Sequence, residues 1–300
     1  LVTGLQNREG RFDSARYLKK TVSAEAVFCF HDEECMIYRT HLKNYRFMVS
    51  QYERKSIRKY SNKDIDDELL ESLIDEAQHT QTMGNLQLYS VVITRSMEMK
   101  AKLAPAHFNQ PMVTEAPVVL TICADFNRTT RWCEERKAQP GYDNFLSFMN
   151  AATDALLFTQ TLCNLAEEKG LGYCFLGTTI YMPQQIINIL KLPVMPVATI
   201  TLGWPDENPN PSDRLPKEAI IHKETYRDYS KQDIDNYYHK KENLEESKEF
   251  CRINHKETLA QIFTDIRYTR NDNEQISISL LEALKNQGFM EKSSVINNKL

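Results

Sequence analysis

The chain has 300 residues, 41% hydrophobic and 26% charged, with a formal net charge of −4. That balance suits a globular enzyme of one large or two small domains, and without a basic excess it gives no sign of nucleic-acid binding. No apolar run reaches the roughly 18 residues of a membrane span. Seven cysteines without a CxxC pair indicate neither a zinc ribbon nor a redox dithiol, so a reducing, cytoplasmic compartment is expected.

In chain order, residues 1–47 come first. They start without Met, show no clear period and lack the charged-then-apolar order of a signal peptide. We read them as an extension preceding a folded domain at 48–300, with a native N-terminal arm as the alternative. Asp66 to Thr80 carries Leu69, Leu70, Leu73, Ile74 and Ala77 on one face behind an acidic start, which predicts an amphipathic helix. Leu88–Thr94 reads as a strand, Met97–Leu103 as a short helix, and the apolar run Val118–Ala124 as a strand buried on both faces. Phe148–Lys169 is the longest helical pattern. Its stripe is Ala152, Ala155, Leu156, Thr159, Leu162, Cys163 and Ala166, and Gly170 stands where a helix stops. Gly172–Leu176 is a strand, Pro183 opens a helix through Leu190, and Val194–Leu202 is a further strand. Asp228–Lys256 is rich in charge and poor in aliphatics, the pattern of a solvated helix or loop. Ile276–Leu284 is a last amphipathic helix.

Three segments carry the chemistry. The first is Arg54-Lys55-Ser56-Ile57-Arg58. The second is Gly170-Leu171-Gly172-Tyr173-Cys174-Phe175-Leu176-Gly177-Thr178-Thr179. The third is Leu202-Gly203-Trp204-Pro205, followed by Arg214-Leu215-Pro216. Arginine suits phosphate because its planar fork makes two charge-assisted hydrogen bonds. Glycine lets backbone lie close against a ligand. There is no GxGxxG, P-loop, HExxH or GxSxG, and the scattered histidines suggest no metal site.

In this order and at these separations, the segments resemble the nitroreductase family of FMN-dependent NAD(P)H oxidoreductases, nearest its flavin reductase P branch. The resemblance runs from about Met48 to Phe289, and includes Cys123-Ala124-Asp125-Phe126-Asn127-Arg128 and Asn286-Gln287-Gly288-Phe289. It implies an α+β fold, with a mostly antiparallel central sheet flanked by helices, assembled as an intertwined homodimer with FMN at the interface. The long helix then lies at that interface. The implied reaction is ping-pong hydride transfer from NADPH or NADH, through FMN, to a small aromatic acceptor such as a nitroaromatic, a quinone or free flavin. Neither metal nor membrane is implied.

The resemblance also implies roles for single residues. Arg54, Lys55 and Ser56 face the phosphate and ribityl end of FMN, and Arg214 closes on the same phosphate. Arg58 is the catalytic cation, offsetting the charge that two-electron reduction creates at the pyrimidine end. Its alternative is an ion pair with Asp64 or Asp66. Gly84-Asn85-Leu86-Gln87 resembles the family's turn, with Asn85 and Gln87 at the ring edge, where Gln110 joins them. Leu176, Gly177 and Thr178 put backbone against the reactive edge. Thr178 stands where a second glycine is common, which leaves less room. Ser212 stands where a cation is usual. Arg252-Ile253-Asn254-His255-Lys256 is the counterpart of the loop that attracts the nicotinamide nucleotide. The rival readings are a specialised dehalogenase or flavin-fragmenting synthase, whose covering insertion is not found, and a low-turnover FMN-binding storage or sensor protein.

Overall fold

Two strands with every residue buried form the centre of the molecule: β2 (Val118–Ala124) and β4 (Met195–Gly203). Both are continuous apolar runs with interspersed threonines, the signature of a strand covered on both faces. They are flanked by β1 (Tyr89–Thr94) and β3 (Gly172–Phe175), and the order is β1-β2-β4-β3 with every pairing antiparallel. The register sets Val118 and Tyr173 on either side of Leu202, and Gly172 opposite Gly203. The computed structural model describes residues 51–290. The expected 1–47 extension and its boundary at Met48 lie outside them.

Ten α-helices are present among the described residues. The first, α1 (Asp67–Ala77), starts at Asp66, whose carboxylate accepts the Leu69 N–H at 2.7 Å. This cap satisfies a donor that the helix start leaves open. Then come α2 (Met97–Leu103), α3 (Met112–Glu115) and α4 (Asn127–Glu135). The longest, α5 (Phe145–Glu168, 24 residues), is capped by Asn144 and packs on α1 and all four strands. After α6 (Pro183–Leu190) and β4 come α7 (Lys231–Glu242), α8 (Glu245–Ile253), α9 (Leu259–Ile262) and α10 (Arg270–Asn286). The tract read as charged and solvated is thus two helices with no buried apolar side chain.

Ala152, Ala155, Thr159, Leu162, Cys163 and Ala166 of the predicted stripe are buried in the core of their own chain. Small residues there let α5 lie close on the sheet. Leu156 is 44% exposed and belongs to the opposite face, with Leu146 (69%), Met149 (46%) and Leu157 (48%). Offsets of three, ten and eleven residues from Leu146 keep these on one side of the helix, a second apolar stripe. Helix α4 was missed in the sequence because it has no apolar stripe, burying only Thr129.

Candidate active site

The segment Arg54–Arg58 reaches the sheet end through close packing. Ile57 N–H donates to the Tyr173 carbonyl at 2.9 Å, and Ser61 N–H to that of Trp204 at 2.9 Å. Tyr60 forms an antiparallel bridge with Pro205. Its hydroxyl lies 2.7 Å from both the Ile57 carbonyl and the Thr201 hydroxyl. Two glycines make room. A Cβ on Gly172 would stand 2.6 Å from Ile57 Cγ1, and one on Gly203 would stand 2.6 Å from Tyr60 Cδ1 and 2.7 Å from Pro117 Cδ. So the glycines of the second and third segments are where the first one docks.

This docking gathers cations at one edge. Arg54 donates to the Tyr173 hydroxyl at 3.4 Å. That bond holds the guanidinium pKa above its ordinary value, and burial opposes it. Lys55 Nζ donates to Asn208 Oδ1 at 2.6 Å. The backbone N–H groups of Arg58 and Lys59 both donate to Glu207 Oε1, at 2.5 and 3.1 Å. Burial raises the Cys174 thiol pKa, and the neighbouring positive charge of Arg58 opposes that rise. The alternative partners of Arg58 are otherwise engaged. Asp64 is paired with Arg95 at 3.0 Å, and Asp66 caps α1. Arg214 is turned to its own loop, donating to the Ser212 and Asp213 carbonyls at 3.1 and 2.8 Å. Beside Ser212, which stands where the resemblance leads one to expect a cation, Lys241 of α7 reaches Asp213 at 3.4 Å.

The turn before β1 is a second cluster. Gly84, Asn85 and Gln87 all have positive φ, at 57, 56 and 47°. Gln87 Nε2 donates to the Asn85 carbonyl and side chain at 2.6 and 2.7 Å, and Arg128 donates to the Gln87 carbonyl. Asp154 of α5, fully buried, holds both ends of the turn by accepting the Met83 and Leu88 N–H groups at 2.9 and 3.2 Å. A carboxylate that bonds backbone at both ends stabilises left-handed residues that would otherwise be strained.

The third cluster joins Gln110 to Thr178. Gln110 Nε2 donates to the His107 carbonyl at 3.1 Å, and His107 Nδ1 lies 2.9 Å from Thr178 Oγ1. His107 is fully buried, and desolvation pulls its pKa from 6.5 to about 4. Thr178, read from the sequence as an obstruction, therefore points inward, and nothing lies within 4 Å of a Cβ built on Gly177. Sequence reasoning missed His107 and Asp154. Their partners are 66 to 71 residues away, and no local pattern marks them. The basic tract after α7 is already paired, Arg252 with Glu249 at 2.5 Å and Lys256 with Asp265 at 2.8 Å.

Comparisons with known proteins agree on one family. The family model described as "Nitroreductase family" matches residues 52–204. The FMN reductase [NAD(P)H] of Bacillus subtilis strain 168 is 33% identical over 178 residues, covering 58% of this chain and 72% of that protein. The oxygen-insensitive NADPH nitroreductase of Salmonella typhimurium strain LT2 is 30% identical over 175 residues, covering 58% and 71%. A solved structure from Bacteroides fragilis NCTC 9343 is 57% identical, with a TM-score of 0.78, over 79% of this chain and 98% of that one. The family match spans half the chain and contains all three clusters except Arg214 and the loop beyond Trp204, so this chain belongs to the nitroreductase family.

Proposed function

We propose that the three clusters are parts of one FMN site in an NAD(P)H-dependent oxidoreductase. The family and the named relatives make the chain an FMN-dependent NAD(P)H oxidoreductase. The observation that best supports a site here is the docking of Arg54–Arg58 into the space kept by Gly172 and Gly203. The donor set fits FMN. One edge has cations for a dianion, two turns offer side-chain amides, and the backbone beside Gly177 is open. Bound FMN supplies hydride transfer in two half-reactions, from NAD(P)H and then to a nitroaromatic, a quinone or free flavin.

In our reading, Arg54, Lys55 and Ser56 hold the phosphate and ribityl end. Arg214 joins them by leaving its own loop carbonyls. Arg58 keeps a positive charge at the pyrimidine end, where it stabilises the developing negative charge. Asn85, Gln87 and Gln110 orient the ring edge, and Leu176, Gly177 and Thr178 bring backbone close to it. Arg54→Ala and Arg214→Ala should each weaken FMN retention by about 1.5–3 kcal/mol, read by flavin titration. Arg58→Ala should slow bleaching of the flavin by NADPH about tenfold in stopped flow, with a smaller loss of affinity. Parental values in all three variants would remove the assignment.

We also propose a homodimer. Leu146, Met149, Leu156 and Leu157 are exposed apolar side chains on one side of one helix, a pattern that marks an interaction surface. It lies on the helix whose other face forms the core, as expected of a helix covered on both sides. No helix among the described residues is long and apolar enough to cross a membrane, and we place the enzyme in the cytoplasm. Residues 48–300 form the FMN-binding domain in this reading. A chain starting at Met48 should dimerise and bind FMN like the full chain, and an insoluble or flavin-free product would overturn that boundary.

A further inference from the structure

The bond between His107 and Thr178 joins two short turns far apart in sequence. Thr178 lies in the turn Gly177–Ile180 that follows β3, and His107 ends the turn Ala104–His107. The neighbouring hydroxyl, that of Thr179, is engaged with the Leu176 carbonyl at 2.9 Å. Thr178 Oγ1 instead faces a fully buried imidazole at 2.9 Å. Core packing is a poor account of this imidazole. Its Nε2 is buried with no hydrogen-bond partner among the described residues, a penalty that an apolar side chain of similar volume would avoid. What the imidazole does accomplish is visible at Thr178. It draws the side chain inward, while the Cβ position of Gly177 next door stays open.

We propose that His107 is a positioning residue: through Thr178 Oγ1 it orients the Gly177–Thr178 peptide against the flavin ring and so sets the reduction potential of bound FMN. This rests on the FMN reading above. The burial of His107 keeps the ring neutral at ordinary pH, so the link is a neutral hydrogen bond of fixed geometry. A threonine where glycine would leave space is then compatible with a close ring, because its side chain is committed elsewhere.

The test uses Thr178→Val, Thr178→Ser, His107→Leu and the double variant Thr178→Val with His107→Leu. The readouts are FMN titration, midpoint potential by dye equilibration, and melting of the flavin-free protein. Thr178→Val removes the hydroxyl and keeps the shape, whereas Thr178→Ser keeps the hydroxyl. Thr178→Ser should match the parent. Thr178→Val and His107→Leu should each change the ratio of affinities for oxidised and reduced FMN about tenfold, about 30 mV for a two-electron couple. The double variant should shift no further than the larger single one. A folded Thr178→Val that loses FMN where Thr178→Ser keeps it also supports the link. A Thr178→Val protein with bound FMN at the parental potential, or shifts that add, overturns it. If His107→Leu does not fold, the Val and Ser variants decide alone. A parent that takes up no FMN overturns both the FMN reading and this one. A parent that binds FMN while Thr178→Val behaves identically overturns this one only.

Discussion

The sheet end that carries Arg54–Arg58 and the helical tract from Ile220 to Leu281 are held by different means. At the sheet end, Ile57, Tyr60 and Pro117 fill the space above two glycines, and backbone hydrogen bonds tie the segment to Tyr173 and Trp204. Those contacts all lie within one chain. In the tract, the buried apolar side chains are Leu259 and Ile262, with Phe250, Ile253, Ile266, Tyr268, Ile278 and Leu281 all exposed. Helices there carry their own caps and local pairs, such as the Ser230–Asp233 capping box and the Arg270–Glu274 bridge, and only the end of α10 enters the core, through Ala283 and Leu284. Exposed pairs of this kind contribute little each. The difference teaches that the docked segment is packed by its own chain, while an apolar surface on α5 and on the tract stays exposed among the described residues.

Breaking the outer surface should have the largest effect, on assembly. Leu156→Glu with Leu157→Glu puts two charges on the exposed stripe of α5, where they cannot be buried unpaired. Sedimentation should show the proposed dimer lost, with the far-ultraviolet dichroism of the chain kept. A dimer that survives both charges would move the interface elsewhere, to the tract or beyond.

A smaller effect comes from pH and belongs to the packed side of the comparison. His107 has a folded pKa of about 4, below its ordinary 6.5, because burial penalises the charged ring. The unfolded chain therefore takes up this proton before the folded chain does. The contribution of neutral His107 is complete above about pH 6.5 and is lost as pH falls to about 4, on the order of 3 kcal/mol. Urea unfolding of the parent and of His107→Leu at pH 7 and 4.5 measures it. The parent should lose more stability than the variant, and equal losses would mean that His107 does not differ between the two states.

The smallest of the three sharpens the role of glycine. Gly203→Ala places a methyl group between the Tyr60 and Pro117 rings, neither of which yields easily. Overpacking of this kind costs about 1–3 kcal/mol. For a domain of this size, that lowers the melting temperature by roughly 2–4 °C per kcal/mol. FMN retention should fall with it, because the cationic segment docks there. Gly141→Ala, with open space around it, is the control and should melt like the parent.

Much of this was legible in the sequence, for physical reasons that act locally. The acidic start of α1, the apolar runs of β2 and β4, and Pro183 at the head of α6 are set by neighbours within one turn or one strand. The cationic segment and the two glycine-bearing segments stood out by their order and separations, which resemble those of the family. Only the tertiary structure decided the rest. Periodicity shows that α5 has an apolar stripe, but it does not say whether the stripe meets its own sheet or another chain. The fold turned the small residues inward and left Leu146, Met149 and Leu157 outside. Residue type could not reveal that Thr178 turns away from the open side of Gly177, because the histidine that draws it in is 71 positions away. Nor could it show Asp154 holding the 83–88 turn, since a carboxylate on a helix finds its partners only once that helix has packed.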